Sequence, residues 1–468
     1  MRTALRLCAL AACLALPAVA EAGVRIVPPF DPATYADRAA VGLLVPGAGP
    51  EVTREGALSA LLRGRLEHDL LGGVTGGEQL LELGAAGGPE ILVSLPPEGR
   101  SENDRRYPIA LLGEEGLLTS DSTRIDGLVS ITDVARGRLR VVASADPAAA
   151  LERLDERIDR NDERRLPLTI LLAVLVLALA AVRPQLALRA VLVALAANLL
   201  LAPWLALAAV AAVVLLPLGP ACAAVLVAYL ASLGLDAETV ALSPLGPSQS
   251  GRFFGINNLL ETLLLLPALA GTALLGRAGV LVAALALVTV GGGRFGADGG
   301  GIVVLAAGFA VLAVGLLEIR ITPRVLALGA AAAATLVLAL LGLDAVTGGE
   351  SHVSAAISGG PGELVGDLGD RLELSVRRTL ASPGALVVVL GGLAVLAAVF
   401  ARAERTPVLD ALLAALAVSL VVNDTPSDVV GLGAVLAVAL ARAGPWLPGD
   451  EPPRHGPVLS PFLESQRR

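Results

Sequence analysis

The 468-residue chain is 55% hydrophobic and 17% charged, with a net charge of −8 and a mean hydropathy of +0.75. That balance excludes a soluble protein folded round a single core and describes a polytopic membrane protein; it also argues against nucleic acid as a partner. All 35 basic residues are arginine, which rules out chemistry that depends on a Schiff-base or P-loop lysine.

In chain order, residues 1–22 read as a secretory signal. Arg2 and Arg6 precede an apolar run from Leu7 to Val19, and Ala20-Glu21-Ala22 supplies a small-residue cleavage site. Cleavage removes Cys8 and Cys13 and leaves Cys222 alone, so no intramolecular disulfide is expected. The three histidines, His68, His352 and His455, are too far apart in sequence to suggest a metal centre, and no metal or cofactor is assigned. Residues 23–165 then alternate short apolar runs with helical stretches. Strands are expected at Val41–Pro46, Glu90–Leu95, Tyr107–Leu112 and Arg138–Ala143, and a helix at Thr53–Leu71. A charged helix from Pro147 to Arg165 leads towards the first span, and the whole segment reads as a small exported α/β domain.

Within that domain, the run from Gly116 to Ala135, with Gly127-Leu128-Val129 and Thr132-Asp133 inside it, resembles the late segment of alkaline-phosphatase and sulfatase-like domains. Val45-Pro46-Gly47-Ala48-Gly49 is similar to their first strand and turn. Gly47 stands where that superfamily usually places a metal-binding Asp, and the domain is shorter and lacks the family's His ligands. The resemblance therefore implies fragments of the fold without its phosphatase chemistry. The chain as a whole, with Gly251-Arg252-Phe253-Phe254-Gly255-Ile256-Asn257-Asn258 and a later Asn-Asp pair, resembles an uncharacterised group of bacterial membrane proteins.

Residues 166–442 hold closely spaced apolar runs. Spans are expected near 166–182, 186–202, 204–218, 220–234, 257–276, 278–291, 300–318, 323–343, 384–401, 407–422 and 428–442. The expected fold class is thus mainly α, a helical bundle of about eleven spans preceded by the small exported α/β domain. Prolines 203, 217 and 220 leave open whether 186–234 holds two helices or three. Arginine placement favours three. With eleven spans, Arg183 and Arg189, Arg277, Arg320 and Arg324, Arg402 and Arg405, and the tail from Arg442 all fall on the cytoplasmic side of a bacterial inner membrane. Residues 443–468, rich in Pro and charge, read as a disordered cytoplasmic tail.

That topology puts four polar loops on the outer side with the exported domain. The first runs into the span at 257 and carries Arg252, Asn257, Asn258 and Glu261. The two Asn and the Glu share one helical face, where a guanidinium could hold an anion, amides orient it and Glu261 act as base or ion ligand. Alternatively, the Asn residues cap the helix and Glu261 sits in its first turn. The second loop, Gly291–Gly301, spells G-x-G-x-x-G by chance, since it follows a membrane span and not a strand. Its Arg294 and Asp298 echo the first motif, though Asp298 also suits the N-cap of the next helix. In the third, Thr425-Pro426-Ser427-Asp428 fits a helix cap, which leaves Asn423 and Asp424 as candidates for function. The fourth, Pro361–Ser382, places Leu364, Leu368, Leu372, Val376 and Leu380 at helical spacing, as an amphipathic helix on the outer leaflet or a linker helix on the exported domain.

These positions suit an envelope protein that handles an anionic or lipid-linked substrate in contact with membrane lipid. A secondary transporter or transporter subunit is the alternative, and a scaffold for an envelope protein partner a third reading. The topology is directly testable: reporter fusions at residues 185 and 322 and at the C-terminus should be cytoplasmic, and those at residues 100 and 365 external. A reporter at 322 found outside would overturn the shared outer face.

Overall fold

The computed structural model describes residues 23–47, 51–64, 90–247, 253–318, 322, 372–373, 375–380, 382–423 and 425–444. The expected signal, Arg252, the span at 323–343, Asp424 and the tail lie outside the described residues, as does most of the Pro361–Ser382 helix.

The N-terminal domain is a mixed sheet with helices on both faces. Its strands are β1 (Gly23–Ile26), β2 (Ala39–Val45), β4 (Glu90–Val93), β6 (Tyr107–Leu112), β7 (Gly116–Ser120), β8 (Leu128–Ser130) and β9 (Leu139–Val142), while β3 (Glu51–Thr53) and β5 (Arg100–Glu102) form a separate ribbon. The order is β1-β4-β6-β2-β7-β9, with β8 also on β2. β2 is central because every one of its seven residues is apolar and buried, which only a strand covered on both faces can afford. Its alternation splits two cores: Ala40 and Leu44 face one way, Ala39, Val41, Leu43 and Val45 the other. The first face is covered by α1 (Arg54–Arg63) and α2 (Ile131–Ala135). α1 begins where Thr53 accepts from the Gly56 amide and ends at Gly64, whose φ of 63° is the left-handed cap glycine permits. That is eight residues short of the end expected from sequence, because the apolar run Leu70-Leu71 lies beyond the cap and outside the described residues.

Asp133, from the Thr132-Asp133 pair, is fully buried and accepts from the Ser122 amide at 2.8 Å and the Ser122 hydroxyl at 2.9 Å. Burial pushes its carboxyl above the ordinary range even against those bonds. Its role here is to tie the 120–127 loop to α2.

The second face is covered by α3 (Pro147–Val182), a single 36-residue helix. The charged helix and the first span expected from sequence are therefore one rigid element, and Leu151, Leu154 and Ile158 pack on the sheet before the helix enters the bundle. Asp146 caps it by accepting from Ala149. Arg106, at the foot of β6 and only 3% exposed, holds Asp155 and Asp159 of α3 with separate nitrogens.

The helical part continues with α4 (Pro184–Ala197), α5 (Pro203–Leu215), α6 (Leu218–Leu235), the short α7 (Glu238–Ala241), α8 (Asn258–Leu274), α9 (Gly279–Gly291), α10 (Gly299–Leu316), α11 (Pro383–Arg402), α12 (Pro407–Val422) and α13 (Pro426–Ala443). Three helices, not two, occupy 184–235. Five of the described helices, α3, α6, α10, α11 and α13, are long and apolar enough to cross a membrane, and α4, α5, α8, α9 and α12 are apolar but shorter. The helices are shorter than the apolar runs suggested because runs such as 186–202 include the turns between helices: α4 stops at Ala197 and α5 starts at Pro203. α8 is buried along nearly its whole length among α4, α6, α9, α10, α12 and α13, whereas α11 buries only Val389 and leans on α13. A helix apolar on every side belongs at the centre of such a bundle.

Replacing Arg106 by Ala should loosen the domain on its stalk. Because the partner carboxylates are half exposed and screened, the expected loss is about 1–3 kcal/mol, read as a lower thermal midpoint of the full-length protein; an unchanged midpoint would assign the docking of α3 to its apolar contacts alone.

Candidate functional site

α8 is central, so the polar residues that open it must be satisfied by neighbours. Asn257 is its N-cap: the side-chain oxygen accepts from the Leu260 amide at 2.8 Å, and the amide nitrogen donates to the carbonyls of Gly246 at 2.7 Å and Leu245 at 3.2 Å. Both ends of Asn257 are thus committed to backbone, and its role is structural. Asn258 reaches across to α13, donating to the Thr425 hydroxyl at 2.8 Å. Thr425 does occupy the N-cap position with Pro426 behind it, but its hydroxyl makes no cap bond; it is engaged by Asn258 instead.

Glu261 is 1% exposed and accepts from Asn423 Nδ2 at 2.7 Å. The same nitrogen lies 2.8 Å from the Ser419 hydroxyl one turn back on α12. Asn423 is the C-cap of that helix, and its backbone carbonyl accepts from the buried Ser375 hydroxyl at 3.1 Å. Asp298 is buried and N-caps α10, accepting from the Gly301 amide at 3.1 Å. Gly300 measures how closely these elements meet: a methyl built on it would stand 2.8 Å from Asn423 Oδ1 and 3.5 Å from Asp298 Oδ1. Glu261, Asn423 and Asp298, 162 residues apart at the extremes, therefore lie together, with Asn258 and Thr425 beside them.

The Gly291–Gly301 loop is a bonded turn: Phe295 and Ala297 amides donate to the Gly292 carbonyl and the Asp298 amide to Val290. It is pressed against the loop that opens α8. The Ile256 amide donates to the Gly296 carbonyl at 2.9 Å, and Gly255 has a φ of 80° with no room for a Cβ, which would fall 2.0 Å from that same oxygen. The two loops thus pack glycine on glycine. Arg294 points elsewhere: its side chain is exposed, away from the buried cluster.

The N-terminal domain sits on these loops. One apolar cluster runs from Val41 and Leu128 through Leu151, Leu154 and Ile158 to Ala241, Leu242 and Phe253. Asn161 donates to the Leu242 carbonyl at 2.7 Å, and Arg165 to Gly246 and Pro247 at 2.9 and 3.2 Å. Below them Asn198 ties the segment to the bundle, accepting from the Leu245 amide and donating to Ser243. Three of the four polar loops are thereby placed at the same end of the bundle as the domain. Sequence reasoning missed Ser419 and Asn198, whose signal was a lone polar residue inside an apolar run, and Ser375 and Arg165, for which no local pattern stood out.

Another contact in this interface is titratable. The Asp126 amide donates to Glu238 Oε1 at 2.9 Å. Burial raises the Asp126 carboxyl, with Asp236 adding to the rise and Arg140 opposing it. Burial also raises Glu238, where the bond from Asp126 and the Arg157 charge pull the other way. Among the described residues no group of three or more His, Cys, Asp or Glu has a metal-binding arrangement.

No protein-family model matches this chain, and neither curated proteins nor solved structures give a significant match.

The raised carboxyls fix the direction of a pH effect. A group whose folded pKa exceeds its unfolded value stabilises fully below the unfolded value and loses that contribution as pH climbs through the folded one. Docking of the domain should therefore tighten as pH falls from 7 to 5, seen as slower proteolysis at the 236–247 segment. Glu238→Gln, which keeps the acceptor oxygen, should remove most of the difference; an unaltered pH response would exclude Glu238 as its source.

Proposed function

We propose that this chain is an integral protein of the bacterial inner membrane, with its N-terminal domain exported and its C-terminus cytoplasmic, and that its outer-face site handles an anionic, lipid-linked envelope substrate. The observation that supports this reading is a convergence of helix starts. The first turns of α8, α10 and α13 meet around Glu261 and Asn423, joined by the Asn258–Thr425 bond and the close approach of Gly300 to Asn423. Each helix start carries roughly half a positive charge, and helix starts are a setting in which phosphate and carboxylate groups are bound. Glu261 supplies a carboxylate at that point, suited to move a proton or hold a cation that accompanies the anion.

Arg252, which directly precedes the described Phe253, is proposed as the guanidinium that grips the anion, and Asp424 as a second carboxylate beside Asn423. Arg294, on the exposed side of its loop, would meet the substrate's outer part, and Asp298 would hold the α10 start in place. The sulfatase-like domain is proposed to dock and shape the site without hydrolytic chemistry of its own, leaving its outer surface for an envelope protein partner.

A second reading, ion-coupled secondary transport, draws on the burial of Glu261 at 1% exposure inside a helical bundle, where ionisable residues commonly mark ion pathways. The two are separated by experiment. In a deletion strain complemented with variants, Arg252→Lys should fail almost as badly as Arg252→Ala, because lysine keeps the charge and loses the planar fork. Glu261→Gln should lower activity by roughly two orders of magnitude at normal protein abundance. Silent Arg252 variants combined with loss of proton or cation flux in Glu261→Gln proteoliposomes would favour transport, and silence at both positions would leave a scaffold.

A further inference from the structure

Arg124 lies in the exported domain, in the loop between β7 and β8, and its φ of 55° is an uncommon conformation for a residue with a side chain. It projects out of its own domain. Its guanidinium donates through Nη1 to the Arg294 carbonyl at 2.8 Å and through Nη2 to the Gly293 carbonyl at 3.2 Å, and its central carbon lies 4.2 Å from the centre of the Phe254 ring. One side chain therefore holds both loops at once, by hydrogen bonds to the Gly291–Gly301 loop and a cation–π contact to the loop that opens α8.

Those two loops carry the two acids of the membrane site. Phe254 is followed by the tight Gly255, then by Ile256 bonded to Gly296, then by the cap of α8 and Glu261 one turn on. Gly293 and Arg294 precede Gly296 and Asp298, the cap of α10. The glycine-to-glycine packing leaves no side chains at that joint to interlock, since a Cβ on Gly255 or Gly296 would collide with backbone oxygen. The Ile256–Gly296 hydrogen bond is the direct tie across that joint, and Arg124 adds a second bridge that reaches both loops from another domain.

We propose that Arg124 is a positioning residue for the membrane site: the exported domain sets the relative placement of the α8 and α10 starts, and with it the distance between Glu261 and Asp298. The inference concerns geometry and holds whether the site serves an anionic substrate or ion transport. Loss of the domain's grip would alter the site without unfolding the domain or the bundle, because the apolar interface around Leu242 and Phe253 and the bonds of Asn161 and Arg165 hold the domain independently.

Hydrogen exchange of the full-length protein in lipid nanodiscs tests this without any assay of function. Arg124→Ala should raise exchange roughly tenfold in peptides covering residues 255–261 and 296–302, which include the Ile256 and Gly301 amides, while peptides from β7 and β8 keep wild-type protection. Arg124→Lys, which retains a cation over the ring, should recover much of the protection, and Arg124→Gln should not. Phe254→Leu, which removes the contact from the membrane side, should reproduce the loosening with the domain's own loop untouched. Unchanged exchange in both loops, or equal behaviour of the Lys and Gln variants, would overturn the proposal. So would a rise in β7 and β8 in the Arg124 variants with no response to Phe254→Leu, since Arg124 would then merely hold its own domain together.

Discussion

The constraint on which this molecule turns is the polar first turn of a buried helix. α8 is enclosed by six other helices, and lipid or packed apolar side chains can satisfy neither an amide nor a carboxylate. Asn257, Asn258 and Glu261 must therefore find partners in protein, and the partners they find define the neighbourhood: backbone of the 245–246 turn, Thr425 at the start of α13 and Asn423 at the end of α12. Three segments far apart in sequence are held at one end of the bundle by those bonds. An apolar first turn would have left the same helices free to slide along α8 with little penalty.

The placement of the N-terminal domain follows from the same constraint one layer out. Loops that bring the helix starts together present carbonyls outside any helix ladder, at Leu242, Gly246, Pro247, Gly293 and Arg294. Each receives a donor from the domain or its stalk: Arg165, Asn161 and Arg124. Asn161 and Arg165 arrive on α3, which is continuous from the sheet into the bundle, and Arg124 arrives on the β7–β8 loop of the sheet itself. The domain is thus built onto one end of the bundle, and its central strand shares an apolar core with the 241–253 segment.

Much of this was legible in the chain. The apolar run Val41–Val45 announced β2, though the strand begins two residues earlier at Ala39 and stops before Pro46, and Tyr107–Leu112 was readable to its ends because a polar or glycine-rich segment bounds it on both sides. Asn257 and Asp298 were readable as caps, since each directly precedes a long apolar run. The meeting of Glu261 with Asn423 could be suspected only from both lying near the ends of their helices, because a bond across 162 residues leaves no local pattern. Arg124 was invisible for a different reason. An arginine in a polar loop of a small domain looks like any solvated cation, and only the packing of the domain on the bundle turns it towards Phe254. The edges of the helices were overread because hydropathy does not distinguish an apolar turn, such as Leu199–Ala202, from the helix before it.

The charge pattern at the convergence repays a closer look. Three helix starts would together create a strongly positive region, yet Glu261, Asp298 and Asp428 each stand in or beside one of those first turns. A carboxylate there is stabilised by the dipole it faces, so the protein can keep acids buried at the end of a membrane bundle where an isolated acid would be costly. Three acids outweigh the roughly half charge carried by each of three helix starts, so net charge alone would not draw an anion to this end of the bundle. Recognition of the proposed anion would rest instead on where each donor stands, and that depends on how firmly the α8 and α10 starts are held against each other.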